Sequence, residues 1–353
     1  MNLGRPFLLL CLALMPWLCL PVSARAWGRA GHSVITDAAI RQLPPPLRTF
    51  FTTHRTLLTN NAANEPSGTH YLRIDYYPEF FTRTFPRDLA VLTSRYGASV
   101  VTANGKAPWT AVTHYGTLRT NFMTARTPAD WTNLLNTAAI LAHFLEDIHS
   151  PLHVSTNSDG QTSGQGGLHG RFETTLLERR FNAGLRLATN TADCVFYPSL
   201  RDAIFDGIDA THPHCAVLFA ADHSAYTAAG NRTSATYYQR LWDDGCSSFT
   251  PALLQRAAAV VASAWYSAWR EAGFPQPPGV PASQVVNLHL LALGTNGCRL
   301  GLLGDAGQRL ELQTATTSAN WTSTATLTNL DGRIEITVPA LPPARFYRAL
   351  LLP

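Results

Sequence analysis

His143 and Asp147 stand four residues apart in an apolar run, so on a helix both project from one face, about a turn apart. His153 follows just beyond Pro151, and His169 and Glu173 repeat the four-residue spacing after a polar, glycine-rich stretch. Far upstream, His32 lies five residues after Trp27. These side chains offer only nitrogen and oxygen donors, and no cysteine lies near them. Such a set suits zinc bound without thiolate. A single His-x-x-x-Asp is usually a surface or core pair. Two His/carboxylate pairs joined by a glycine-rich loop need a reason beyond packing.

The position of Trp27 adds a further donor. Residues 1–26 read as a secretory signal, with Arg5 at its start, an apolar core from Phe7 to Leu20, and Ala24-Arg25-Ala26 as the cut site. Cleavage after Ala26 would leave Trp27 with a free α-amine, which can chelate a divalent ion together with its own carbonyl oxygen. The expected location is therefore secreted or periplasmic. The mature chain of 327 residues (353 less 26) is long enough for one large core and a smaller unit. It has no second apolar run able to span a bilayer.

Loss of Arg5 and Arg25 with the signal takes the formal charge from +4 to +2, a weak pointer to a polyanionic partner. Lys106 is the only lysine. Arginine suits bidentate phosphate contacts, but genome composition explains the bias equally well. Cys194, Cys215, Cys246 and Cys298 remain after cleavage, an even number in an exported chain, so one or two disulfides are expected. Nothing in the sequence speaks to oligomeric state.

The elements that must position these donors are mostly helical from Gly31 to about Gly273. Val34, Ile35, Ala38 and Ala39 share one face of a first helix that stops at Pro44-Pro45-Pro46. The clearest helix covers Pro128 to His149, with Leu134, Leu135, Ala138, Leu141, Ala142 and Leu145 inward. Another starts near Leu168 and runs through Arg180, and a long one ending at Glu271 carries Val261, Trp265 and Trp269. Together they predict an all-α bundle of about eight helices over residues 27–273. Residues 274–283 form a proline-rich linker. From 284 to 353 short alternating runs (Val285–Leu293, Leu310–Thr314, Ala325–Leu327, Arg333–Val338) predict a small antiparallel β-domain of open role.

Here the chain resembles a known family. The run His143-Phe-Leu-Glu-Asp147-Ile-His149-Ser-Pro-Leu-His153, the Trp27-Gly-Arg-Ala-Gly-His32 start and His70-Tyr71 look like the superfamily of zinc-dependent phospholipases C and fungal or plant single-strand-specific nucleases. The resemblance covers Trp27 to about Gly273 and leaves the β-domain outside. It implies an all-α fold holding three zinc ions per chain and hydrolysing phosphodiesters through a zinc-activated hydroxide. By motif, one zinc would take His70, His143, Asp147 and a carboxylate upstream of His70. A second would take His153, His169 and Glu173. The third would take the Trp27 amine and carbonyl, His32 and the other oxygen of Asp147. Glu65 is the only acid between His54 and His70, where the family has aspartate, and is assigned that upstream role. His149 falls outside the ligand pattern and suits a supporting or helix-end position.

The substrate expectation leans to single-stranded nucleic acid, with phospholipid as the alternative. The close Trp27 to His32 spacing matches the nuclease branch, and so does Ala30 where choline-binding phospholipases carry glutamate. Glu173 points the other way, since nucleases usually have aspartate there. Tyr71 occupies the position where nucleases stack a base, but Arg73 replaces the aspartate expected to accept a hydrogen bond from it. A non-catalytic, zinc-stabilised binding module is the different-class reading. It needs a metal closed by a fourth strong protein ligand, and none is apparent.

Overall fold

The computed structural model describes residues 27–353 except 65, 67–69, 191–192, 281–286, 295–296, 305–306, 318–319, 331, 340–345 and 353. The expected signal segment and Glu65 therefore lie outside the described residues. Helices run from Gly28 to Glu271, and six strands follow from Asn287 to Leu352. The all-α part followed by a small antiparallel β part is the expected fold class. The helix number is not as expected, because short helices fill the span between the first helix and the Ala107–Thr124 helix: Leu47–Thr53, Arg55–Ala62, Pro78–Phe81, Leu89–Tyr96 and Ala98–Ala103. Each is too short to show a repeating apolar face in sequence.

The helix carrying His143 and Asp147 spans Pro128–Asp147. Its start is set by a capping box: Thr127 Oγ1 accepts from the Asp130 amide at 3.2 Å, and Asp130 accepts from the Thr127 amide at 2.8 Å. Pro128 takes the first turn, where its missing N–H costs nothing. Leu134, Leu135, Ala138, Leu141, Ala142 and Leu145 are all buried, as their spacing predicts. This face meets the long Thr250–Glu271 helix, whose Trp265 indole donates to the Ala138 carbonyl at 3.0 Å. A fully buried aliphatic or aromatic side chain contributes roughly 1.5–3 kcal/mol. The helix of His143 and Asp147 is thus fixed by its buried face from Trp131 onward.

The strands form two three-stranded antiparallel sheets. One has the order β1 (Asn287–Gly294), β2 (Gly297–Leu303), β5 (Arg333–Val338); the other has β4 (Thr322–Thr328), β3 (Arg309–Ala315), β6 (Phe346–Leu352). Strands β2 and β6 were not anticipated. Cys298, Leu300, Leu312 and Val338 make a small core with residues from both sheets. The β part meets the helices where Tyr266 donates to the Leu330 carbonyl and Gly307 packs on Phe274.

The expected disulfides do not form. Cys194, Cys215 and Cys246 are buried in the helical core and Cys298 in the separate β core, all as thiols.

Candidate metal centre

Asp147 is fully buried and is the point on which the donors converge. His143 Nε2 lies 2.9 Å from its Oδ2, and His70 Nδ1 lies 3.1 Å from the same atom. Those two ring nitrogens are themselves 3.2 Å apart. On the other side, His32 Nε2 is 3.3 Å from Asp147 Oδ1. The two carboxylate oxygens therefore face two different sets of imidazole. A third set lies alongside: His169 Nε2 is 2.7 Å from Glu173 Oε2 and 3.1 Å from His153 Nε2, with His153 Nε2 3.6 Å from the same carboxylate oxygen.

Four of the five imidazoles are oriented from behind. His143 Nδ1 donates to the Ala62 carbonyl at 2.7 Å, His169 Nδ1 to the Ser158 carbonyl at 2.9 Å, and His153 Nδ1 to the His70 carbonyl at 3.3 Å. His32 Nδ1 lies 2.5 Å from Glu146 Oε2. All four Nε2 atoms are left to point inward, the arrangement in which a metal-bound histidine is held by a partner on its other nitrogen.

The donors fit zinc on three counts. Four ligands about 2.0–2.1 Å from zinc in a tetrahedron lie roughly 3.3 Å from one another, close to the separations above. Both Asp147 carboxylate oxygens and His32 Nε2 are buried with no hydrogen-bond partner, a costly state unless an ion satisfies them. The sets His32/His143/Asp147, His70/Asp147/His153 and His153/His169/Glu173 each bring their donor atoms within 4.8 Å of one another, and all are nitrogen and carboxylate, as expected.

Electrostatics within the cluster are mutual. Burial would raise the Asp147 carboxyl, but the neighbouring His143 and His153 imidazoles hold it well below the usual carboxylate range. Glu173 is lowered likewise against its own burial, by His169 and His153. Burial pulls His32 and His169 down, yet the bond to Glu146 and the charge of Asp147 raise the first, and Glu173 raises the second.

Local backbone explains how these residues meet. The helix ends at Asp147, Pro151 opens a single 3-10 turn ending at His153, and the Leu72 amide pins that turn by donating to the His153 carbonyl at 2.9 Å. His169 precedes a π-helical segment, Gly170–Leu176, rather than the α-helix expected there. Such segments are rare and gather at functional sites. Its wider turn carries Glu173 under His169, and Ser150 Oγ donates to the other carboxylate oxygen. Asp159 holds the glycine-rich loop by accepting from the Gly167 and His169 amides at 2.8 and 3.0 Å.

Trp27 is wholly buried at the head of the Gly28–Gln42 helix. Its backbone nitrogen lies 3.0 Å from Glu173 Oε2, and its carbonyl accepts from the Gly31 amide at 3.0 Å. A side chain at Gly31 would meet the Trp27 Cβ at 2.8 Å, so the tight turn that buries the tryptophan requires glycine. Tyr71 and Arg73 follow His70 at the rim. The Arg73 guanidinium sits 4.8 Å over the Tyr71 ring and reaches the Ala103 carbonyl at 3.4 Å. The Tyr71 ring also rests on Gly105, where any Cβ would come within 2.1 Å of the Tyr71 carbonyl oxygen.

His149 points away from the donors. Its Nδ1 donates to the Leu145 carbonyl at 2.7 Å, its ring packs under Gly207, and burial pushes its pKa down to about 4. It is a neutral helix-end residue. Glu146 is the site residue that sequence reading passed over. An acid beside Asp147, on a helix whose neighbouring positions are apolar, was the available signal.

No family model and no curated protein matches the chain. Seventeen solved chains match, two of them as follows. One is the alpha toxin from Clostridium absonum, at 12% identity and a TM-score of 0.43, covering 87% of this chain and 82% of that one. The other is the alpha-toxin of Clostridium perfringens from avian strain SWCP, at 10% identity and a TM-score of 0.42, covering 91% and 82%. Both likenesses are distant. No helix among the described residues is long and apolar enough to cross a membrane.

Proposed function

We propose that this chain is an exported, zinc-dependent phosphodiester hydrolase acting on phospholipid head groups in the manner of a phospholipase C. The observation that carries the reading is Asp147, whose two buried oxygens each face a separate set of histidine nitrogens. Three ions are assigned: one to His70, His143 and Asp147, with Glu65 as the upstream carboxylate; one to His153, His169 and Glu173; and one to His32, Asp147 and the Trp27 amine and carbonyl. Bound there, zinc supplies Lewis acidity at the phosphoryl oxygens and a water acidic enough to attack phosphorus near neutral pH. The protein's part is to fix the donors in one rigid arrangement, with Asp147 spanning two sets and Arg73 at the rim to grip a phosphate oxygen.

Lipid is preferred to nucleic acid because Arg73 already covers the Tyr71 ring that a base would need. Glu173 supports the same preference. So do the exposed Leu290, Leu291, Phe346 and Leu350 of the β part, which suit contact with a lipid surface. A single-strand nuclease is the second reading, favoured by the five-residue spacing of Trp27 and His32.

Purified mature protein should release phosphorylated head group from phosphatidylcholine and lose this activity when dialysed against a chelator, regaining it with zinc. Cleavage of single-stranded DNA or RNA with phosphatidylcholine untouched would reverse the preference. No zinc-dependent cleavage of either class would refute the hydrolase reading.

Arg73→Ala separates the two substrates further. On phospholipid it should cost about tenfold or more in kcat/KM, the loss of one charge-assisted phosphate contact. On single-stranded DNA the bared Tyr71 ring should instead improve weak binding, because stacking is worth about 1–3 kcal/mol per base. Equal losses on both substrates would place Arg73 outside substrate contact.

A further inference from the structure

Glu146 has no role in the ligand sets above, yet it is fully buried beside them. A buried carboxylate is costly unless it is fully paired, and this one is engaged at every polar atom of its side chain. Oε2 meets His32 Nδ1 at 2.5 Å, and Oε1 accepts from Thr36 Oγ1 at 2.7 Å. Its backbone carbonyl also accepts from the Trp27 indole at 2.7 Å. Trp27 caps the Gly28–Gln42 helix that carries His32 and Thr36, whereas Glu146 belongs to the helix of His143 and Asp147.

We propose that Glu146 is the positioning residue of the Trp27/His32 metal set: it fixes His32 as the Nδ1–H tautomer with Nε2 aimed at Asp147, and clamps the N-terminal donor arm to the helix of His143 and Asp147. The geometry separates this role from direct coordination. Glu146 stands behind the ring, on the Nδ1 side, while Asp147 Oδ1 stands 3.3 Å in front of Nε2. A carboxylate behind a ligating imidazole also raises the basicity of the nitrogen in front. Glu146 does this for one set alone, because His143, His153 and His169 take backbone carbonyls on their rear nitrogens.

The inference rests on the zinc reading of the site, and its test keeps the two apart. Zinc per chain is measured for wild type, Glu146→Gln and Glu146→Ala across a graded series of chelator concentrations. In the same samples, nitrogen NMR of labelled histidine reports the His32 tautomer. Glu146→Gln keeps the volume and one acceptor, and the Thr36 hydroxyl can turn to accept from the new amide, so the fold is preserved. It should weaken one zinc of three by about 10–100-fold and leave the other two unchanged. Glu146→Ala should lose that zinc and let the His32 signal move away from the Nδ1–H form. Unchanged zinc affinity and tautomer in both variants would overturn the proposal. Uniform weakening of all three ions would also overturn it, since that is the mark of a merely structural residue. Wild type that takes up no zinc would refute the proposed function itself.

Discussion

Asp147→Asn is expected to remove two zinc ions, not one, and to lower kcat/KM by about a thousandfold or more, ~4 kcal/mol of transition-state stabilisation. Asparagine keeps the shape, so the loss isolates the charge. Among the described residues this carboxylate alone faces both the His70/His143 nitrogens and His32. An amide offers one weak oxygen donor and turns an N–H donor toward imidazole nitrogens on the other side. The His153/His169/Glu173 set keeps its own carboxylate and should retain its ion. Thermal stability should fall as well, because metal bound only by the native state adds to folding free energy. Metal analysis and a melting curve on one preparation check all of this. Loss of a single ion with activity largely kept would mean that Asp147 does not join two sets.

Adding one glycine before Trp27 should be nearly as damaging, with the loss of one ion and about 100-fold of activity. The Trp27 nitrogen lies 3.0 Å from Glu173 Oε2, among the donors, so its own chemistry decides what it can bind. The extension also converts an amine into an amide, which has no lone pair to give a metal. Circular dichroism should show the helices intact. Three ions per chain and full turnover in the extended protein would remove Trp27 from the ligand set and leave the other donors in place.

The long elements were legible in the sequence because periodicity and termini agreed. Thr127-Pro128 and Asp130 announce the start of the ligand helix, and its inward leucines mark its face. The donors were legible because histidine and carboxylate at four-residue spacing are chemically conspicuous. What escaped was set by contacts distant in sequence. Glu146 is told apart from a solvated acid only by the packing of the Gly28–Gln42 helix across it, which brings His32 and Thr36 to its two oxygens. The π-helical turn under His169 is invisible to a helical period, which registers only that the segment is helical. The stacking of Arg73 on Tyr71 was likewise unreadable, because residues two apart share a face only once the backbone is extended. Strands β2 and β6, Gly-Cys-Arg-Leu-Gly-Leu-Leu and Phe-Tyr-Arg-Ala-Leu-Leu-Leu, carry apolar residues in no clean alternation.

Cys215 is buried with its thiol donating to the Pro151 carbonyl at 3.2 Å, and burial pushes its pKa up to about 12; Cys246 is raised by burial too. At neutral pH a thiol of that acidity is ionised to only about one part in 10⁵, and the thiolate is the reactive form. Those two folded thiols are thus shielded from oxidants, while in the unfolded chain they are ordinary, reactive cysteines. In an oxidising compartment such a chain must hide its sulfurs faster than it meets a disulfide donor. Correct yield would then be a contest between folding rate and oxidation rate, won by helices that close early.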